Sequence, residues 1–169
     1  MGCVPELNAT AAALLGLLHD GPMTGGQLVS AAGERFGAFF GVTRSQVYRE
    51  LPALAGAGLV RLGKQGPRSS QQYAITAAGR RAFKAWLVAG GEADQLRSPL
   101  ILRLVHSASL TMRQRAELVS HAKRAYAARL DAAKASVKAA GDPYTKAAAE
   151  FAVGYTRAVL KLLDAIPAG

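Results

Sequence analysis

Five polar side chains at helical spacing carry the most specific chemistry in this 169-residue chain. Arg44, Ser45, Gln46, Tyr48 and Arg49 occupy one side of a segment whose other side holds Val47, Leu51 and Leu54 at four- and three-residue steps. A guanidinium or a carboxamide pairs with base edges through two parallel hydrogen bonds, whereas hydroxyls and further cations grip phosphate. The chemistry on offer is the noncovalent reading of an anionic polymer with hydrogen-bonding edges. Arg44 and Gln46 are the candidates for base edges, and Ser45, Tyr48 and Arg49 for phosphate. Gln46 also stands three residues after Thr43, the spacing of a capping box, so Arg44 ranks ahead of it. The plainer alternative for these residues is an ordinary solvated helix face.

A second basic feature follows directly. Gly56 and Gly58 close the helix, and residues 59–62 and 71–75 read as short strands joined by a Gly/Pro/Ser-rich turn. Alternation sets Leu59 and Arg61 against Val60 and Leu62, and puts Tyr73 and Ile75 on one face. Lys64 and Arg68 then occupy the tip, with Ser69 and Ser70 as additional phosphate donors, while Arg61 lies nearer the body of the hairpin. A solubilising turn is the competing reading. A capped helix followed by a basic-tipped hairpin is the arrangement by which a winged helix-turn-helix meets the major groove of duplex DNA.

Other elements must position these two. A first helix is predicted over residues 9–19, with Leu14, Leu15, Leu17 and Leu18 as its apolar stripe and Gly21-Pro22 as its stop. Thr24 caps a second through about Phe36, with Leu28, Val29 and Ala32 inward. Gly25 and Gly26 either admit a close neighbour or loosen its first turn. Phe39 and Phe40, in a hydrophobic loop, are expected to pack back on the core. Pro52 costs about 3 kcal/mol in a helix interior, which predicts a kink or tightening after Tyr48. Thr76 opens a fourth helix anchored by Phe83, Trp86 and Leu87.

After Gly90-Gly91 the character changes, dividing the chain into residues 1–90 and 91–169. Ser98-Pro99 starts a helix through cap and first-position proline. A long helix is predicted over residues 112–139, with a stripe of Leu118, Ala122, Ala125 or Tyr126, Leu130, Ala133 and Val137. Asp142-Pro143 resets the chain, and a last helix carries Phe151, Tyr155, Ala158, Leu162 and Ile166. Two alanine-rich helices cannot complete a core alone, so they are expected to pair with each other and with a second subunit. The fold class is mainly α with a small β-hairpin.

Composition narrows the function classes. Half of the residues are hydrophobic and the net charge is +10, which favours nucleic acid first, an anionic membrane surface second, and a ribosomal or merely basic protein third. Both halves carry the excess, and no basic tail stands apart. Cys3 is the lone cysteine, so neither a disulfide framework nor a cysteine zinc site is available, which fits a reducing cytoplasm. The apolar run at residues 11–18 is too short for a membrane span and lacks the basic lead of a signal peptide. His19, His106 and His121 have no mutual ligand spacing, so no metal and no cofactor are expected. No nucleophile elbow, phosphate loop or dinucleotide glycine pattern occurs, so catalytic residues are not assigned and the chain does not read as an enzyme.

Taken in order, these motifs resemble the PadR family of bacterial transcription regulators. Leu-Gly-Leu-Leu-His-Asp-Gly-Pro from Leu15 is similar to the family's first helix and turn, and Thr43-Arg44-Ser45-Gln46-Val47-Tyr48 resembles its recognition helix. Gly58-Leu59-Val60 and the run from Tyr73 to Arg80 resemble its wing strands and the helix after them. Two positions depart from the pattern: Gly26 stands where the family commonly has tyrosine, and Arg49 where it often has proline. The resemblance implies a homodimer joined through C-terminal helices, a palindromic operator, repression as the usual outcome, and a small aromatic or hydrophobic effector. The helical part resembles the longer branch of the family, which includes activators. Trp86, Tyr126, Phe151 and Tyr155 are the aromatic candidates for an effector pocket or interface, with helix packing as their plainer role.

Two other classes share parts of this pattern. A winged-helix module that binds only protein, or an activator without a small-molecule ligand, would keep the fold. A membrane-surface protein would concentrate its charge on one amphipathic face, yet here the charges of the last two long helices are mixed.

Overall fold

The computed structural model describes residues 7–65, 70–91 and 93–167, and the chain divides into two compact units, Met1–Glu92 and Ala93–Gly169. Cys3, Arg68 and Ser69 lie outside the described residues, as does the side chain of Lys64.

In the first unit, α1 (Ala9–Leu17), α2 (Gly25–Phe36), α3 (Arg44–Gly56) and α4 (Ala77–Val88) pack with three strands, β1 (Met23–Thr24), β2 (Val60–Gln65) and β3 (Gln71–Ile75). Neutral side chains start each helix: Asn8, Thr24, Thr43 and Thr76 accept from backbone N–H groups two turns or less into the helix they cap. Thr24 with Gln27 and Thr43 with Gln46 form full capping boxes. Leu14, Leu15, Leu17, Leu18, Leu28, Val47 and Leu51 are almost wholly buried and make the centre of the core. Fully burying side chains of this size is worth about 1.5–3 kcal/mol each. The periodic apolar stripes of α1, α2 and α3 therefore account for most of the cohesion of this unit.

The sheet is antiparallel, in the order β1-β3-β2, with Met23 opposite Tyr73 and Leu62 also opposite Tyr73 across the other edge. β1 is a two-residue strand with no alternation to betray it in sequence. Its pairing ties the turn before α2 to the hairpin. Two glycines are structural requirements: Gly58 has φ +69°, and a Cβ on Gly79 would lie 2.1 Å from the carbonyl oxygen of Leu59.

Several expectations are corrected. α1 stops at Leu17 rather than His19. Phe39 is exposed, with its ring centroid 6.4 Å from that of the half-buried Phe36, which is the one of the two that packs on the core. α3 runs unbroken through Pro52, whose ring lies on the exposed side while Leu51 and Leu54 hold the helix down. Leu62 is exposed although Val60 is buried, since the hairpin has an irregular register between Leu62 and Gln65 as it leaves the core. Leu87 and Trp86 do not anchor α4, whose inward residues are Gly79 and Ala82 with Phe83 packed beside them.

The second unit comprises α5 (Pro99–Val105), a 3-10 turn (Ser107–Ser109), α6 (Met112–Ala139) and α7 (Pro143–Asp164). Ser98, Thr111 and Asp142 cap the three helices. The buried seam of α6 and α7 is rich in small residues: Ala122 and Ala133 on α6, and Ala149, Ala152 and Thr156 on α7, with Val159 and Leu163 filling its C-terminal end. Thr156 is admitted because its hydroxyl donates to the carbonyl of Ala152 at 2.7 Å. This overturns the stripe expected for α7. Phe151, Ala158 and Leu162 point outward, and Phe151 is 64% exposed, because alanines let the helices approach where bulky residues would hold them apart. Tyr155 packs on the inner cluster with Tyr126, whereas Ala125 is exposed. Among the described residues no helix is long and apolar enough to cross a membrane.

Candidate nucleic-acid interface

The Thr43 cap fixes where the reading helix begins. Its hydroxyl accepts from the Gln46 N–H at 3.3 Å, and the Gln46 carboxamide oxygen accepts from the Thr43 N–H at 2.8 Å. The Thr43 hydroxyl also donates to that oxygen at 3.0 Å, so the acceptor of Gln46 is committed to the cap and its amide N–H groups remain the outward-reading part. Ser45 is exposed, with its Oγ 3.1 Å from Thr43 Oγ1. No acidic residue stands in the first turn of α3, so the partial positive charge of the helix start is left for an anion.

Arg44 and Tyr48 form one unit. The Arg44 guanidinium lies over the Tyr48 ring, 5.4 Å from its centroid, and among the described residues Arg44 has no carboxylate partner. Tyr48 in turn rests on α2: a Cβ added to Gly25 would sit 3.0 Å from Tyr48 Cζ and 3.1 Å from its hydroxyl. Gly25 thus provides the seat that lets this ring approach the neighbouring helix while it stays exposed to solvent. Gly26 has open space beside it.

Arg49 differs from Arg44. Its Nη2 donates to Glu50 Oε1 at 3.2 Å, and Glu50 itself is buried. The other carboxylate oxygen of Glu50 accepts from Asn8 Nδ2, also at 3.2 Å. Sequence reasoning missed both Asn8 and Glu50. The signal was present, since Glu50 lies three residues after Val47 and four before Leu54, on the inward stripe of the helix.

β2 and β3 form the wing. Arg61 is exposed on β2, Lys64 is on the same strand, and Gln71 Nε2 donates to the Gly63 carbonyl at 2.9 Å across the hairpin. Thr76 locks the base by donating to the carbonyls of Gly58 at 2.7 Å and Leu59 at 3.1 Å.

The aromatic candidates divide between the units. On the first, Phe83 stacks with Trp86 at 6.5 Å and meets His19 at 5.0 Å, leaving Trp86 partly exposed. On the second, Tyr126 and Tyr155 pack on the same inner cluster, and the Arg129 guanidinium lies 5.3 Å from the Tyr126 ring centroid. Burial, and then the neighbouring phenol of Tyr155, push the Tyr126 phenol above its ordinary value, while Arg129 opposes the shift. Phe151 stands apart on the outward face of α7. Among the described residues no cluster of His, Cys, Asp or Glu is arranged to hold a metal ion.

The model of the transcriptional regulator PadR-like family matches residues 14–85. The negative transcriptional regulator PadR of Bacillus subtilis (strain 168) is 33% identical over 79 residues, which is 45% of this chain and 43% of that protein, so the match spans less than half the length of the relative. The crystal structure of Bacillus subtilis PadR in complex with operator DNA superposes with a TM-score of 0.76 at 21% identity, over 94% of this chain and 96% of that one. The same protein in complex with p-coumaric acid gives 0.58 at 21% identity, over 95% of this chain and 100% of that one. These structures share the fold over nearly the whole chain. Residues 14–85 are a domain of the transcriptional regulator PadR-like family.

Proposed function

We propose that this chain is a sequence-specific, DNA-binding transcription regulator that acts as a homodimer in the cytoplasm. The observation that carries the reading is the start of α3, where a capped helix with no acidic first turn presents Arg44, Ser45, Gln46 and Tyr48 beside a hairpin wing. Arg44 reads a base edge, with the Gln46 amide as a second reader, while Ser45 and Tyr48 hold phosphate and Arg49, already paired with Glu50, is the weakest of the phosphate candidates on this helix. Lys64, Arg68 and Ser69 extend the phosphate contact through the wing. Residues 1–90 serve as the DNA-reading domain and residues 91–169 as the dimer-forming domain.

The outward face of α7 supports self-association. Phe151 and Leu162, together with Leu102, Val105 and Met112 elsewhere in the unit, form apolar surface that its own core leaves uncovered. A two-fold dimer calls for a palindromic operator, with half-sites about 34 Å apart on successive major-groove faces. Repression is the sign that the curated relative suggests. An effector would be a small aromatic or hydrophobic compound, a class supported by the p-coumaric acid complex of the structural neighbour, with Trp86, Tyr126, Phe151 and Tyr155 as its candidate contacts. It would act by favouring a dimer geometry that no longer spans both half-sites.

The test is binding of the purified chain to its own upstream DNA and to a scrambled duplex of equal length across a salt series, with Arg44→Ala alongside. Preferential binding that weakens with salt, and that becomes indiscriminate in the variant, is the expected result. Absence of binding to both duplexes at low salt would refute the proposal and favour a protein-binding winged-helix module.

A further inference from the structure

Glu50 is a buried acid on the helix proposed to meet an anion, and that position needs a reason. Its side chain is 10% exposed while that of Arg49 is 71% exposed. Both carboxylate oxygens are occupied, Oε1 by Arg49 Nη2 and Oε2 by Asn8 Nδ2, each at 3.2 Å. Asn8 uses the opposite end of the same amide to cap α1, where its Oδ1 accepts from the Ala11 N–H at 2.8 Å. A single chain of contacts therefore runs from the α1 start, through Glu50, to the guanidinium of Arg49.

We infer that Glu50 is a positioning residue for DNA recognition: it tethers Arg49, withholds most of that cation from phosphate, and joins the reading helix to the start of α1. A carboxylate at this depth is stable only while its oxygens stay paired, and Arg49 is its one cation among the described ion pairs. Moving Arg49 to a phosphate would strand that charge, so DNA competes with Glu50 for the same guanidinium. Among the described residues Arg44 has no such competitor: it pairs with no carboxylate and lies over the face of Tyr48. The helix thus presents one free and one restrained guanidinium. Phosphate contact raises affinity for every sequence, whereas base contact separates one sequence from another. Restraining Arg49 lowers the first without touching the second, so Glu50 sharpens discrimination. This rests on the DNA-binding function proposed above.

The test is a double-mutant cycle in the full-length chain, with Arg49→Met made in the wild type and in Glu50→Gln. Each protein is titrated with the upstream and the scrambled duplex over a salt series. Glu50→Gln is expected to bind scrambled DNA several-fold more tightly, to steepen the salt dependence by about one unit, and to narrow the preference for the upstream duplex. Arg49→Met should change the slope little in the wild type and should remove the whole gain in Glu50→Gln. An equal loss of slope in both backgrounds would show Arg49 already engaged with phosphate and would overturn the inference. A Glu50→Gln effect that survives Arg49→Met would overturn it too, by reducing Glu50 to a general repulsive charge.

Thermal unfolding of Asn8→Ala, Glu50→Gln and the pair gives an independent reading of the link without DNA. Midpoint shifts smaller in the pair than their sum support the joint, and simple additivity removes it. Failure of the wild type to bind either duplex overturns the functional proposal along with this one, and is told apart from failure of the tether because the unfolding cycle still reports coupling.

Discussion

The adjacent glycines at the start of α2 offer a sharp test of how the proposed reading surface is seated. Gly26 is exposed, with Thr24 Oγ1 at 4.0 Å as the nearest atom to an added Cβ, and its φ lies outside the left-handed region. Gly26→Ala should therefore stabilise the chain by up to about 0.5–1 kcal/mol, the ordinary cost of glycine in a helix. Gly25→Ala makes the same backbone gain but drives its methyl to 3.0–3.1 Å from two ring carbons and the hydroxyl oxygen of Tyr48. The ring must retreat by a few tenths of an ångström, and because it is 47% exposed it can move toward solvent. Overpacking of this kind costs about 1–3 kcal/mol at a tight site, so a yielding ring brings the net stability change close to zero. The displacement carries the Tyr48 hydroxyl and the Arg44 guanidinium stacked over it. DNA binding should then weaken, and the salt slope should fall by up to about one phosphate contact. Thermal unfolding and salt-dependent titration of both variants supply the two readouts. Wild-type DNA binding by Gly25→Ala would refute the argument, because Tyr48 would not be held by α2. So would a loss of binding in Gly26→Ala, which disturbs no ring.

Three further outcomes follow from features described above. Phe151→Glu together with Leu162→Glu should yield a monomer by sedimentation while helix content is retained, since both side chains point away from the α6–α7 seam; loss of helix at any concentration would place them inside it. Pro52→Ala should raise stability by about 2 kcal/mol, restoring a donor for the Tyr48 carbonyl in a helix that is already unbroken; destabilisation in denaturant unfolding would show that the folded state depends on the proline. Tyr126 should ionise later than the exposed tyrosines in an alkaline absorbance titration. Because its folded-state value is raised, the unfolded chain sheds that proton first, and the associated stability is held below pH 10 and declines above it; a Tyr126→Phe chain with an identical alkaline profile would contradict this.

Much of this architecture can be read directly from residue order. The bounds of α2 and α6 and the caps at Thr24, Thr43, Thr76, Ser98 and Asp142 follow from side chains that bond to their own helix, so neighbouring residues suffice to locate them. What escaped depends on partners distant in sequence. β1 exists only because Met23 and Thr24 meet Tyr73 and Gln72. The α7 stripe was misplaced by about one residue, or 100° of rotation, because large apolar residues were weighted over the alanines that set the helix separation. Glu50 was overlooked because a carboxylate reads as surface until the Asn8 amide is brought to it. For the reading helix, the identities of Arg44, Ser45, Gln46 and Tyr48 are visible in sequence, whereas the Gly25 seat and the contrast between a free and a tethered arginine need three dimensions.

The choice of cap has a consequence for acid tolerance. In the first unit every helix is started by an amide or hydroxyl, Asn8, Thr24, Thr43 and Thr76, and none has an acidic residue in its first turn. Such groups neither gain nor lose a proton as a solution is acidified, so these four caps hold their helix starts without a titrating group. Carboxylate caps would bind their helix starts more strongly, but would let go together on protonation and would compete with an incoming phosphate for the same N–H groups. α7 is the exception among the described helices, with Asp142 accepting from Tyr144 and Thr145 at 2.9 and 3.0 Å. The helix caps of the winged unit therefore carry no titrating group, whereas the start of α7 is held by one.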